Sequence, residues 1–277
     1  MYAGFKFKAD KEQMIQLFGE DKREIGKNHL NGQKAIVFEN LKNYVIQGTE
    51  TLDSTFVEAN WFPQIDVDIF ISHSHADVDF AQMLAGWLYE EFGLNCFIDS
   101  NVWGYADELT TILNDKYSDR RNGEGDYSFI YSHKKCLSVS KHVDTMLTIA
   151  LHKMIDRSET VFLLDTPNAI CSYGSTIEDA SYSPWIYSEL VCSSIVRKQI
   201  PDRLLSTLLT ESLRHDSFAL EQKGMEILYK VPTNHLIPLD INDLGYWNER
   251  YISQRTSLKA LDILYQIKNI FPQNIYF

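Results

Sequence analysis

The stretch Val67-Asp-Ile-Phe-Ile71, running straight into Ser72-His-Ser-His75, decides how the rest of the chain is read. It is short, β-branched and apolar, and it breaks off at a polar cluster, the signature of a buried strand whose end opens onto a loop. Immediately after it, Phe80, Met83, Leu84, Trp87 and Leu88 recur at i, i+3, i+4, i+7 and i+8, which is one face of a helix. Asp77 and Asp79 fall in its first turn, where the helix dipole favours carboxylates, and Gly93 ends it. Asn95-Cys-Phe-Ile98 reads as a second strand ending at Asp99.

Further out the alternation resumes. Residues 139–157 form a helix with Val143, Met146, Leu147, Ala150 and Met154 aligned, and Thr160-Val-Phe-Leu-Leu164 is a strand bounded by Asp165 and Pro167. Ser183-Pro184 opens another helix, with Ser at the N-cap and Pro in the first helical position. His235-Leu-Ile-Pro-Leu239 is a further strand, and the apolar set from Leu258 to Ile267 is a last helix. Strands separated by amphipathic helices imply βαβ crossovers and a parallel sheet with helices on both faces. Ligands of such sheets bind beyond the carboxyl ends of the strands, so Ser72–His75, Asp99–Gly104 and Thr166–Pro184 are expected on one rim.

Residues 1–65 read as a small mixed extension: a helix capped by Asp10 with Met14, Leu17 and Phe18 on one face, a turn at Asn31-Gly32, a strand at Ala35–Phe38 and an apolar stretch at Tyr44–Ile46. Residues 66–277 form the main domain. Its 101–137 segment, with Asp119-Arg-Arg-Asn-Gly-Glu-Gly-Asp126, is expected to be a mobile loop.

The 277 residues carry 26 Lys and Arg against 38 Asp and Glu, a net charge of −12, which argues against a sequence-independent nucleic-acid binder. No run approaches the ~20 apolar residues of a membrane span, and no apolar leader is visible at the N-terminus. Cys96, Cys136, Cys171 and Cys192 are scattered, with no C-x-x-C pair, as reduced thiols are. The expectation is a cytoplasmic protein without membrane or nucleic-acid partners.

Two features invite chemistry. His73-Ser-His75-Ala-Asp77 is an H-x-H-x-D run of the kind metal-dependent hydrolases of the metallo-β-lactamase type use, but Val78 stands where that family continues with His, and no downstream His sits at ligand-like spacing. A polar loop lining a crevice is the plainer reading. Glu189 is the second. It lies in a helical stripe with Trp185, Cys192 and Val196, where a lone carboxylate must be paired or at work.

Val67-Asp-Ile-Phe-Ile-Ser-His73 resembles the first-strand motif of Toll/interleukin-1 receptor (TIR) domains. Cys96-Phe-Ile-Asp99 is similar to their second strand, and Thr160–Asp165 with Ser183-Pro-Trp-Ile-Tyr-Ser-Glu-Leu190 to their third strand and W-x-x-x-E helix. With its long insertions the chain resembles the stand-alone TIR proteins of bacterial anti-phage defence, such as those of the Thoeris type. The resemblance implies a flavodoxin-like, doubly wound, five-stranded parallel sheet. It also implies an enzyme that cleaves NAD at the nicotinamide–ribose bond, releasing an ADP-ribose-derived product that reaches a downstream effector, and that self-associates. Glu189 would then be catalytic, and Ser72, His73, His75, Asp99 and Trp185 would contact the substrate. NAD is a substrate, with neither cofactor nor metal required. Sequence also leaves open a TIR scaffold without catalysis.

Overall fold

The computed structural model describes residues 1–38, 53–102, 106–122, 129–172, 179–205, 227–254 and 259–270. Its centre is an all-parallel, five-stranded sheet: β1 (Ala3–Lys8), β2 (Ile69–Ser72), β3 (Cys96–Phe97), β4 (Thr160–Leu164) and β5 (Ile237–Asp240). The spatial order is β5-β1-β4-β2-β3. β2 and β4 are the apolar runs expected from sequence, and every residue of β4 is buried.

The order holds a surprise. β1 lies inside the sheet, with Phe5 opposite Phe162 on one side and Ile237 on the other. Residues 1–65 are therefore no separate extension. The chain divides into two compact units, one of residues 1–27, 67–96 and 155–277, the other of residues 28–66 and 97–154. The expected boundary at residue 65 falls one residue from the crossing between the units at 66–67, but residues 1–27 group with the unit that holds the later strands.

Register assigns the two faces of the sheet. Side chains alternate along a strand, so Ile71, Phe162 and Phe5 share one face, and Ser72, Leu163 and Lys6 share the other. The first face is packed with rings: Phe5 meets Phe162 edge-on at 5.3 Å and stacks on Tyr265 at 6.5 Å. On the second face Leu163 is buried with Ala169, Ile170, Ile186, Leu190, Val231 and Leu236. Ile186 and Leu190 come from the Pro184–Ile195 helix, which places that helix over the row containing Ser72.

Within the first unit, the start of one helix crosses another unusually closely. A Cβ on Gly86, in the Val78–Phe92 helix, would stand 1.9 Å from the Lys22 carbonyl oxygen; one on Gly26, in the Asp21–Phe38 helix, would stand 1.9 Å from that of Gln82. Only a pair of glycines permits this approach.

Several local expectations hold. Asp10 caps the Lys11–Phe18 helix in a reciprocal box with Gln13, and Gly93 closes the Val78–Phe92 helix in the left-handed conformation, φ +69°. Others fail for physical reasons. Asn31-Gly32 and Ala35–Phe38 belong to the Asp21–Phe38 helix, where helix begun upstream overrides a locally β-branched run. Tyr44–Ile46 lies outside the described residues. The 101–137 segment is not a structureless loop: it contains the Ala106–Tyr117 helix, an antiparallel pairing of Arg121–Asn122 with Phe129–Ile130, and the start of a helix running from His133 to Arg157. Asp115 organises it, accepting from Tyr131 at 2.5 Å and from Arg120 at 2.9 Å. No helix among the described residues is long and apolar enough to cross a membrane.

Candidate functional site

β2 ends at Ser72, which is fully buried, and the chain then turns through a 3₁₀ segment, His75–Asp77, into the Val78–Phe92 helix. Facing it is the Pro184–Ile195 helix, opened as expected by Ser183, whose hydroxyl accepts the Ile186 N–H at 3.3 Å, with Pro184 at the first position. Glu189 lies just over one turn inside that helix and is 3% exposed. Its Oε2 accepts a 2.6 Å hydrogen bond from Ser72 Oγ. The carboxylate that stood out in the sequence is thus buried against the end of the first-motif strand, and a hydroxyl there satisfies part of its bonding capacity.

The other residues expected at the site divide. Trp185, one turn before Glu189, is half-buried. His73 is nearly buried, with Nδ1 3.3 Å from the Ile71 carbonyl oxygen, a contact that requires the proton on Nδ1. His75 is exposed at the start of the 3₁₀ turn. Asp99 belongs to the second unit, where it begins a short helix (Asp99–Val102) and accepts the Ser100 N–H at 2.7 Å.

Asp77 was read as a helix-start charge, yet it is 2% exposed and both its oxygens are engaged. Thr166 Oγ1 donates to Oδ2 at 2.5 Å, and Asn168 Nδ2 donates to Oδ1 at 2.9 Å. This carboxylate ties the segment after β2 to the segment after β4, adjacent strands at whose carboxyl ends a ligand crevice is expected. Sequence gave no sign of it, because Asp near a helix start is ordinary. The H-x-H-x-D run thus presents a buried His, an exposed His and a carboxylate with a hydrogen bond on each oxygen; among the described residues no three His, Cys, Asp or Glu side chains group as metal ligands.

Lys6 is a further residue that sequence reasoning passed over. Its ammonium lies 2.6 Å from Asp179 Oδ2 and 3.6 Å from Asp165 Oδ2, and Thr233 Oγ1 also donates to Asp179 at 2.5 Å. Burial raises the Asp179 pKa, but the Lys6 and Thr233 hydrogen bonds outweigh it and hold the carboxyl below its usual range. Asp179 sits in a three-stranded antiparallel sheet of Cys171–Ser172, Asp179–Ser181 and Tyr229–Lys230, so Lys6 anchors this small sheet to β1.

The remaining reactive groups near Glu189 on its helix are quiet. Burial, reinforced by Asp156 and Glu189, pushes the Cys192 thiol up to about 11, so it stays protonated and is a poor nucleophile. Ser193 donates to the Leu190 carbonyl at 2.9 Å and lies 2.8 Å from His235 Nε2. Burial, with a smaller push from Lys198, lowers His235 to about 4. An unfolded chain binds this proton near pH 6.5, so between roughly pH 6.5 and 4 it holds more protons than the folded one, and stability falls as the solution is acidified. His235→Gln retains a polar partner for Ser193 and removes this titration. Its melting temperature should therefore drop less than the parent's between about pH 7 and pH 4.5; equal drops would show that His235 does not drive the loss.

No protein-family model matches the chain, and neither a curated protein nor a solved structure is detectably similar to it.

Proposed function

We propose that the chain is a TIR-like enzyme that cleaves NAD between nicotinamide and ribose, with Glu189 as its essential residue. The observation that carries this reading is the Ser72–Glu189 hydrogen bond. The first-strand motif and the W-x-x-x-E motif, which the resemblance pairs in one site, meet at hydrogen-bonding distance through two buried side chains. Strand order adds support: from Ile69 onward the strands follow the flavodoxin-like sequence 2-1-3, and β1 occupies the fourth place before the last strand.

The chemistry suits a single carboxylate. The glycosidic C–N bond breaks with both electrons passing to the pyridinium nitrogen, so nicotinamide departs neutral and needs no general acid, unlike the leaving group of a glycosidase with its two carboxyls. Positive charge develops on the ribosyl carbon, and a fixed anion beside it is worth about 3–4 kcal/mol, or ~10²–10³ in rate. Water or a hydroxyl of the same nucleotide then bonds to that carbon and loses its proton to solvent; an adenine ring nitrogen instead bonds through its lone pair, and the ring takes on the positive charge. Ser72 orients the carboxylate, and in this reading Trp185, one turn before Glu189, and His73, next to Ser72, contact the substrate. In this reading the protein works in the cytoplasm of a bacterium, and its product signals to a downstream effector during phage defence.

A scaffold role has one observation in its favour. Tyr187 and Ile195 are exposed on the helix that carries Glu189, Ile195 to 74%, and such residues are available for assembly. Purified protein incubated with NAD separates the readings: a chromatogram showing nicotinamide and an ADP-ribose-derived mass is expected at high protein concentration. An unchanged NAD peak at every concentration tried would favour the scaffold.

A further inference from the structure

Asp77 stands at the start of the Val78–Phe92 helix, where a carboxylate ordinarily faces water and caps the helix that begins there. It does neither. Its side chain is buried and makes no capping bond; its two oxygens are given instead to Thr166 and Asn168, in the turn after β4. That turn is braced within itself. Thr166 Oγ1 accepts the Ala169 N–H at 3.2 Å, and the Thr166 carbonyl accepts the N–H groups of Ala169 and Ile170 at 3.0 and 2.9 Å. Ala169 and Ile170 are buried in one cluster with Ile186 and Leu190, which flank Glu189 on its helix, and with Leu163, the register partner of Ser72. Asp77 is therefore joined to both ends of the Ser72–Glu189 hydrogen bond. It follows Ser72 closely in the chain, and it reaches Glu189 through the packed turn.

We propose that Asp77 is a positioning residue, which holds the Glu189 carboxylate where Ser72 meets it. Hydrogen bonds to a carboxylate are stronger than those to a neutral acceptor, so Asp77 fixes the turn more firmly than a neutral side chain could. A helix packed on a fixed turn keeps its carboxylate in register with the strand end. The effect of Asp77 on catalysis rests on the proposed NAD cleavage; its effect on where Glu189 sits does not.

Glutamate labelled at its carboxyl carbon gives the intact protein a Glu189 resonance, identified by its absence from Glu189→Gln. In Asp77→Ala that resonance should move. In Asp79→Ala, which removes an exposed carboxylate from the first turn of the same helix, it should stay. Nicotinamide release by Asp77→Ala should show kcat about tenfold lower with KM within about twofold of the parent, because a displaced anion weakens the transition state and not the binding of NAD. Asp77→Asn keeps an acceptor for Asn168 and should recover most of the loss. Asn168→Ala, at an exposed position, removes one tie from the other side and should move the resonance and lower kcat by a smaller factor. A Glu189 resonance unmoved in folded Asp77→Ala, or in Asn168→Ala should Asp77→Ala not fold, overturns the proposal. An equal movement in Asp79→Ala, a loss confined to KM, or a parental kcat also overturns it. A moved resonance in a protein that cleaves no NAD upholds the positioning of Glu189 and overturns instead the reading of that residue as NAD-cleaving.

Discussion

Glu189→Gln should lower NAD turnover by about 10² or more while the protein stays folded. The substitution preserves length and helix propensity and can keep the hydrogen bond from Ser72, since the amide oxygen accepts as the carboxylate does. What it removes is the negative charge beside the developing ribosyl cation, and with it the electrostatic term that the mechanism depends on. Stability should change little, and relief from a buried charge can raise it. Glu249→Gln, on an exposed position of the Ile241–Ser253 helix, is the matched control. Initial rates of nicotinamide release from both variants and the parent, with circular dichroism on each, decide the matter. Near-parental cleavage by folded Glu189→Gln means that the mechanism is wrong.

Gly86→Ala should be the most damaging single-methyl change in the first unit. Alanine in a helix ordinarily stabilises by up to ~1 kcal/mol relative to glycine. Here the added carbon would stand 1.9 Å from the Lys22 carbonyl oxygen and 2.7 Å from the Gly26 nitrogen, both backbone atoms that cannot swing aside. The two helices must separate, opening the packing around them, and overpacking of this kind costs about 1–3 kcal/mol or more. Gly32→Ala, in the same helix as Gly26 but with nothing within 4 Å of its added carbon, should be neutral or stabilising. Thermal unfolding of the pair tests the contrast. A Gly86→Ala protein as stable as the Gly32→Ala protein would mean that the crossing is looser than described.

Sequence reading succeeded where one local pattern had one explanation. Thr160–Leu164 is apolar, bounded and short, and the strand occupies those five residues. Ser183-Pro184 has the chemistry of a helix start, and Ser183 performs it. Glu189 was conspicuous because three apolar neighbours shared its face, and it is indeed buried. What escaped notice depends on distant partners. Phe5-Lys-Phe-Lys8 alternates as a strand does, yet lysines at every second place suggest an exposed edge; Lys6 tolerates a central position because Asp165 and Asp179 come to it from far along the chain. Gly26 and Gly86 each look like ordinary helix weaknesses until the two are seen to face one another. Asp77 is the same case, its burial set by Thr166 and Asn168 across the strand ends.

The position of β1 has a consequence for how the molecule comes into being. Its neighbours in the sheet, Thr160–Leu164 and Ile237–Asp240, are made long after it during synthesis, and both edges of Ala3–Lys8 must wait for them. Such non-local parallel pairing is slow, since the chain closes large loops before any contact repays them. In that interval Phe5 and Phe7 belong to an unpaired, partly apolar segment, the kind that associates with other nascent chains or is held by chaperones. Release of a folded sheet from the ribosome therefore waits on the last strand, and yield on expression should depend on conditions that slow aggregation more than on those that stabilise the finished protein.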